Sequence, residues 1–225
     1  MSEICQAGAR IKLADAAVGL GAIVSTDALL VGLVYLCLKS DVGGAEILAW
    51  LPVLLVVAIA VPTAGVLAYL KRRGIPLGFA PLGAKGWHLL WQVPCAIALA
   101  GACAAVVGPL LGIEPKGAPS ASEGDGIFMV LSLAAYLLLA PFLEEIVFRR
   151  ILLGYFETRM PAAMSVVLSS LIFGALHVAP PVIVYATFLG IGCALATRWH
   201  QSLWAGLIVH MCNNVLVQLI VVAAL

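Results

Sequence analysis

Charged residues are scarce in this chain. They make up 10% of the 225 residues, whereas 64% are hydrophobic and the mean hydropathy is +1.14. Soluble globular domains carry roughly a quarter charged residues and about half apolar residues. The composition therefore excludes most soluble architectures and indicates a membrane protein.

An excess of either charge sign is also missing. Twelve Lys and Arg residues stand against eleven Asp and Glu residues, which gives a formal net charge of +1. No basic surface is available to attract phosphates, so nucleic acid is not an expected partner. The six cysteines form no Cys-x-x-Cys pair and no Cys/His metal spacing, and we interpret them as core or lipid-facing thiols. They are Cys5, Cys37, Cys95, Cys103, Cys193 and Cys212.

Seven apolar runs predict membrane-spanning helices, each of which needs about 20 residues to cross a bilayer. The expected fold is all-α, a polytopic transmembrane bundle of about seven spans in one domain, residues 1–225. The runs are Val18–Leu38, Ile47–Leu70, Trp87–Leu111, Ile127–Tyr155, Ala162–Ala179, Val182–Thr197 and Leu203–Leu225.

A polar segment rich in Gly, Ser and Pro, Glu114–Gly126, divides the chain. We expect it to form an exterior loop between the third and fourth spans. It separates the first three spans, residues 1–112, from a four-span half, residues 127–225. Nearly every polar group inside the predicted spans that is a candidate for function belongs to that second half.

Lys and Arg residues are distributed unevenly over the two ends of the spans. Cytoplasmic loops of membrane proteins carry an excess of these residues. With a cytoplasmic N-terminus, only Lys39 and Lys116 fall on the exterior side, so we expect this orientation and an exterior C-terminus. The ten on or toward the cytoplasmic side are Arg10, Lys12, Lys71, Arg72, Arg73, Lys85, Arg149, Arg150, Arg159 and Arg198.

A few ionisable residues lie inside the predicted spans, where each costs at least about 2.5–3.5 kcal/mol on insertion scales. Such residues are candidates for function by default. They are Asp27, Glu144, Glu145, Arg149, His177 and His210. Asp27 has no evident partner in the sequence, and its role stays open.

Two adjacent carboxylates enter the fourth span in the stretch 141–150, Pro-Phe-Leu-Glu-Glu-Ile-Val-Phe-Arg-Arg. Neighbouring residues on a helix point about 100° apart, so the two glutamates have different surroundings. Glu145 and Arg149 stand at i and i+4 and are expected to form an ion pair. Glu144 is then free for another partner.

Counting residues from the turn near Met160 gives a candidate partner for Glu144. Glu144 lies sixteen residues before Met160 and His177 seventeen after it. At about 1.5 Å per residue, both lie roughly 25 Å from the turn in an antiparallel hairpin, so we expect them to face each other. Phe173 precedes His177 by one turn and would shield the pair.

The same counting on the last hairpin, with its turn near His200, places His210 opposite Gly190 and Gly192, where helices can approach closely. Asn214 follows His210 by one helical turn. A glutamate beside a neutral imidazole can act as a general base toward water, and a second His with an Asn can stabilise an oxyanion. These groups indicate hydrolysis of a peptide bond inside the membrane.

Three ordered motifs in these helices resemble those of a known protease family. They are Glu144-Glu145-x-x-x-Arg149, Phe173-x-x-x-His177 and His210-x-x-x-Asn214. They are similar to the motifs of the CAAX-processing and bacteriocin-processing (CPBP) family of intramembrane endopeptidases, which includes the prenyl-protein type II proteases. The resemblance runs from Pro141 to the C-terminus. The first three spans match only in being hydrophobic.

The resemblance implies roles for these residues. Glu144 and His177 would activate water, His210 and Asn214 would stabilise the tetrahedral oxyanion, and Glu145, Arg149 and Phe173 would support the site. It also implies cleavage near the C-terminus of a membrane-anchored or lipidated protein, with no cofactor. Arg150 departs from the family pattern, where Gly often follows the motif arginine.

Alternatives remain open at the sequence level. Glu144, His177 and His210 could ligate zinc, although the sequence holds no His-Glu-x-x-His motif. A non-catalytic bacteriocin-immunity or binding protein, or a small proton-coupled transporter, would also contain buried polar residues. The short chain favours a prokaryotic inner membrane. The oligomeric state is not encoded in any pattern that we can read.

Overall fold

The computed structural model describes residues 11–39, 44–113, 126–177 and 179–223. Within these ranges the chain is helical and contains no strand, which confirms the all-α prediction. A short 3₁₀ turn, Gly83–His88, leads into the third helix. The seven helices are α1 Leu13–Lys39, α2 Gly44–Arg73, α3 Leu89–Leu110, α4 Ile127–Glu157, α5 Ala162–Ala175, α6 Pro180–His200 and α7 Leu203–Ala223.

Six of the seven helices, all except α5, are long and apolar enough to cross a membrane. Their outward side chains are largely Leu, Val, Ile and Trp, so an apolar surface surrounds the bundle. This is the reverse of the surface that a soluble protein presents to water. The chain is an integral multi-pass membrane protein.

The fifth predicted span, Ala162–Ala179, is wrong in length. Helix α5 ends at Ala175 and has 14 residues, so it is about 21 Å long against a hydrocarbon core of about 30 Å. Ala179 is extended, with ψ of 122°, because the following Pro180 disfavours helical backbone before it. His177 therefore lies beyond the helix rather than within it.

Some expectations lie outside the described residues. These include Arg10, Lys116 and almost all of the predicted exterior loop, of which only Gly126 is described. The orientation of the bundle in the membrane consequently stays a prediction.

Helix α1 is fixed to the rest of the bundle at two places. Near its start, Asp15 accepts hydrogen bonds from the hydroxyl of Tyr69 and from Nε of Arg73, both on α2. One turn further on, Gly19 lies against side chains of α4 that include Ile151. Helices α1 and α2 thus pack beside the helix that carries the paired glutamates.

The connection between α2 and α3, residues 75–82, packs against the ends of two other helices. Gly78 accepts a hydrogen bond from the backbone N–H of Leu203 at the start of α7 (2.8 Å), and Pro76 accepts one from Nε of Arg150 on α4 (2.5 Å). Arg150 is buried, and its terminal nitrogens have no hydrogen-bond partner among the described residues. Arg150, the residue that departs from the family pattern, therefore holds this connection against α4.

Candidate active site

The adjacent glutamates lie between two wider turns of α4. The segments Ala135–Leu139 and Ile146–Leu152 are π-helical, and Glu144 and Glu145 belong to the α-helical stretch that separates them. Single π-turns inside α-helices frequently accompany functional sites. Here they change the directions in which side chains before and after the glutamates point.

Glu145 is buried and lies at the centre of a polar cluster that it forms with Arg149 and His210. Its Oε1 accepts a hydrogen bond from Nδ1 of His210 at 3.0 Å, and its Oε2 lies 3.3 Å from Nε of Arg149. The predicted ion pair between Glu145 and Arg149 is confirmed. A carboxylate with no exposed surface is costly without such partners, so Glu145 holds α4 to α7.

Arg149 connects the carboxylate to the aromatic residue on α5. Its guanidinium carbon lies 4.4 Å from the ring centroid of Phe173, a cation–π geometry. Its NH2 group approaches the backbone oxygen of Gly190 on α6 at 3.5 Å. Through Arg149, the Glu145 cluster is in contact with both α5 and α6.

His210 lies between the two glutamates. Its Nε2 is 3.5 Å from Oε2 of Glu144, while its Nδ1 bonds Glu145. Counting along the sequence predicts that His177 lies opposite Glu144, but no hydrogen bond or ion pair joins these two among the described residues. The count assumed a regular helix up to Ala179, whereas α5 ends four residues earlier.

Glu144 and His177 nevertheless line one cavity of about 270 Å³ inside the bundle. Its wall is formed by α4, by the C-terminal part of α5 with the residues after it, and by α1 and α2. His210 and Asn214 are not part of the wall. The lining residues are Ile23, Thr26, Asp27, Ile59, Ala140, Leu143, Glu144, Phe148, Phe173, Leu176 and His177.

The ring of His177 is held by the preceding turn. Its Nδ1 lies 2.9 Å from the backbone oxygen of Phe173, and its ring packs edge-on against the Phe173 ring. A carbonyl oxygen only accepts hydrogen bonds, so Nδ1 carries the proton in this contact. Neutral His177 then has its lone pair on Nε2, which is the form that can accept a proton from water or orient it.

Asn214 is held by a carbonyl that α4 itself cannot satisfy. In the first π-turn, the backbone N–H of Ala140 donates to the backbone oxygen of Ala135, five residues earlier. By the same spacing, residue 141 would donate to the backbone oxygen of Tyr136, but residue 141 is a proline and has no N–H. Nδ2 of Asn214 donates to this Tyr136 oxygen at 2.9 Å. One of its two amide hydrogens remains for another acceptor.

Two neighbouring polar residues orient the Asn214 amide, and sequence reasoning missed both. Asn213 donates to Oδ1 of Asn214 at 3.2 Å, and the hydroxyl of Tyr185 on α6 donates to Oδ1 of Asn213 at 2.5 Å. Asn213 was readable as a buried amide beside the motif. Tyr185 had no signal, because only the packing of α6 on α7 brings it there.

Gly190 and Gly192 do not lie opposite His210, although counting along the sequence predicts that they do. Gly190 faces Ser170 and Phe173 of α5, and Gly192 faces Ala96 of α3, so neither lies beside α7. The close approach next to His210 is made by Gly206, on which a Cβ would lie 2.7 Å from Oε2 of Glu145. Its position one turn before His210 was the missed signal.

Among the described residues, the group that could hold a metal ion differs from the zinc ligands that the sequence left open as an alternative. Possible ligand atoms of Glu145, Cys193 and His210 lie within 4.8 Å of one another, and all three residues are buried. His177 and Glu144 are not in this group. The guanidinium of Arg149, 3.3 Å from Glu145, already neutralises its carboxylate and would repel a metal ion there.

The comparisons with known proteins agree with the motifs. Residues 126–216 match the sequence model of the family described as type II CAAX prenyl endopeptidase Rce1-like. The matched segment is similar to that family. The match spans α4, α5, α6 and two thirds of α7, confirms the resemblance drawn from the three motifs, and supports protease activity at the family level. No match was found among the curated proteins or among the solved structures.

Proposed function

We propose that this chain is an intramembrane endopeptidase that cleaves near the C-terminus of a membrane-anchored or lipid-modified protein. A prenylated C-terminal segment is the substrate class that the Rce1-like family description suggests. The observation that carries the proposal is that Glu144 and His177, which both belong to the family-matching region, line one cavity. A carboxylate and an imidazole that line the same cavity are the groups that water activation requires.

Water activation is assigned to this pair. A water molecule in the cavity would be oriented by Nε2 of His177 and would pass one proton to Glu144 as its oxygen attacks the substrate carbonyl carbon. Glu144 would then give that proton to the leaving amine when the C–N bond breaks. The proton taken from water thus ends on the new amino group, and the water oxygen ends in the new carboxyl group.

Oxyanion stabilisation is assigned to His210 and Asn214. Glu145 accepts from Nδ1 of His210, so a proton on Nε2 makes His210 an imidazolium between two carboxylates. Nε2 and the second amide hydrogen of Asn214 would then donate to the developing oxyanion. Removal of one such donor lowers the rate by about 10²–10³-fold in other hydrolases. Glu145, Arg149 and Phe173 position these groups, and no cofactor is required.

The decisive experiment is cleavage of a farnesylated peptide by the purified protein in lipid nanodiscs. We expect Glu144→Gln, which keeps the shape and removes the base, to abolish cleavage without changing thermal unfolding. Glu157→Gln is the matched control, because Glu157 lies on the same helix and pairs with Arg198 away from the cavity. Cleavage by Glu144→Gln at the wild-type rate would contradict the proposal.

Metal dependence is tested in the same assay. We expect activity to survive prolonged chelation at neutral pH, since the mechanism uses only side chains. Activity that is lost on chelation and restored by zinc would instead assign the reaction to a metal centre.

The proposed setting is a prokaryotic inner membrane with a cytoplasmic N-terminus. The excess of Lys and Arg at one side of the predicted spans supports this orientation. A reporter enzyme that is active only outside the cytoplasm, fused after α7, should therefore be active. An inactive reporter on a correctly inserted protein would show that the C-terminus is cytoplasmic and that the orientation is the opposite of the one proposed.

A further inference from the structure

Asp27 lies in the wall of the cavity that also contains Glu144 and His177. It occupies the middle of α1, a 27-residue apolar helix that can cross the membrane. Its side chain is exposed, and it has no hydrogen bond or ion pair to any of the described residues. Because α1 lies outside the region that matches the family, neither the motifs nor the match assign Asp27 a role.

The other described aspartate of the same helix shows how the fold satisfies a carboxylate that it uses structurally. Asp15 accepts from the backbone N–H of Lys12, the hydroxyl of Tyr69 and the guanidinium of Arg73. Asp27 has no comparable set. A carboxylate at the centre of a transmembrane helix is costly unless it faces water or a partner, and such residues commonly mark substrate pathways.

The cavity wall contains acidic side chains but no Lys or Arg among the described residues. Asp27 and Glu144 contribute two carboxylates, and no Lys or Arg belongs to the described lining. The hydroxyl of Thr26 donates to the backbone oxygen of Ala22, and the remaining side chains except His177 are apolar. Low-dielectric walls strengthen the field of such carboxylates, so the cavity should attract cations and disfavour anions.

We propose that Asp27 forms a substrate subsite for a Lys or Arg side chain close to the scissile bond. The apolar residues Ile23 and Ile59 would contact the methylene stem, and the carboxylate of Asp27 would bind the charged head. Glu144, which lies 3.5 Å from His210, is left for the reaction. This inference rests on the proposed endopeptidase function and names a feature of its substrate.

The test is a series of farnesylated peptides cleaved by the protein in nanodiscs. At each of three positions on either side of the scissile bond, one peptide carries Lys and its partner carries norleucine, which has a similar length and no charge. The quantity measured is the ratio of kcat/KM for Lys over norleucine. We expect a ratio of about 10–100 at one position, the value of a charge-assisted hydrogen bond.

Variants then assign the preference to its residue. We expect Asp27→Asn to reduce that ratio to near one, and Asp27→Lys to favour a peptide with Glu at the same position. Ser25→Ala is the matched control, because Ser25 is two residues away on α1 and donates to Ala22 rather than lining the cavity. It should keep the wild-type ratio.

Two results would overturn the inference. One is a wild-type ratio near one at every position. The other is a Lys preference that Asp27→Asn leaves unchanged, which would place the cation elsewhere.

A binding arm separates this inference from the proposed function. The Glu144→Gln variant is titrated with the same labelled peptides, and fluorescence anisotropy gives the Kd. If no peptide is cleaved by the wild type but Lys peptides still bind more tightly through Asp27, the endopeptidase function fails and the cationic subsite remains. If peptides are cleaved and bound without a Lys preference, the subsite fails alone.

Discussion

Gly206 provides a sharp test of how the buried cluster is held. In Gly206→Ala the new Cβ would lie 2.7 Å from Oε2 of Glu145 and 3.1 Å from the backbone oxygen of Cys193, and it would also press on Thr197. The Cys193 oxygen belongs to α6 and cannot move without changing the packing of α6 on α7. Relief of these contacts therefore requires that the side chains of Thr197 and Glu145 move.

The two contributions to stability work against each other. Overpacking of this kind costs about 1–3 kcal/mol, whereas Ala is better than Gly inside a helix by about 1 kcal/mol. The net loss in the free energy of unfolding is therefore expected to be only about 0–2 kcal/mol. Displacement of Glu145 breaks its 3.0 Å bond to Nδ1 of His210, so catalysis should decrease far more than stability.

The assay combines thermal unfolding with cleavage of the farnesylated peptide. Gly65→Ala on α2 is the matched control, because a Cβ there meets nothing within 4 Å. We expect the control to keep full activity and to gain at most about 1 kcal/mol. A Gly206→Ala protein with the wild-type cleavage rate would refute the role of Glu145 in holding His210.

Three further changes test the polar contacts around the site. Asn214→Asp places a carboxylate oxygen against the backbone oxygen of Tyr136. Cleavage should decrease about 10²–10³-fold, and the free energy of unfolding should decrease by about 1–3 kcal/mol. Unchanged cleavage would remove Asn214 from the mechanism. Tyr185→Phe removes the hydroxyl that bonds Asn213, and we expect a loss of about 1 kcal/mol in thermal unfolding together with a lower kcat at constant KM. Asp15→Asn removes the charge that Arg73 pairs with, so the melting temperature should fall. An unchanged melting temperature would show that these contacts do not stabilise the bundle.

Much of the fold follows from composition and local spacing. Long apolar runs predict helices because the bilayer leaves backbone groups no partner outside the helix itself. The Glu145–Arg149 pair follows from the four-residue spacing alone. These predictions succeeded because each depends on one helix, and no knowledge of its neighbours is needed.

The partners across helices could not be predicted in the same way. Counting from a turn gives the depth of a residue in a regular helix but not the direction of its side chain. The π-turns of α4 redirect side chains around Glu144, and the early end of α5 moves His177 out of the helix. As a result, His210 rather than His177 lies beside Glu144, and Asn214 bonds the carbonyl left free by Pro141.

The shortness of α5 has a consequence for the surrounding lipid. A helix of about 21 Å spans only part of a hydrocarbon layer of about 30 Å, and bilayers respond to such hydrophobic mismatch by thinning locally. His177 lies just past one end of this helix. The bilayer is therefore expected to be thin beside the cavity that Glu144 and His177 line. Water and a polar peptide tail would then travel a shorter distance through lipid to reach it.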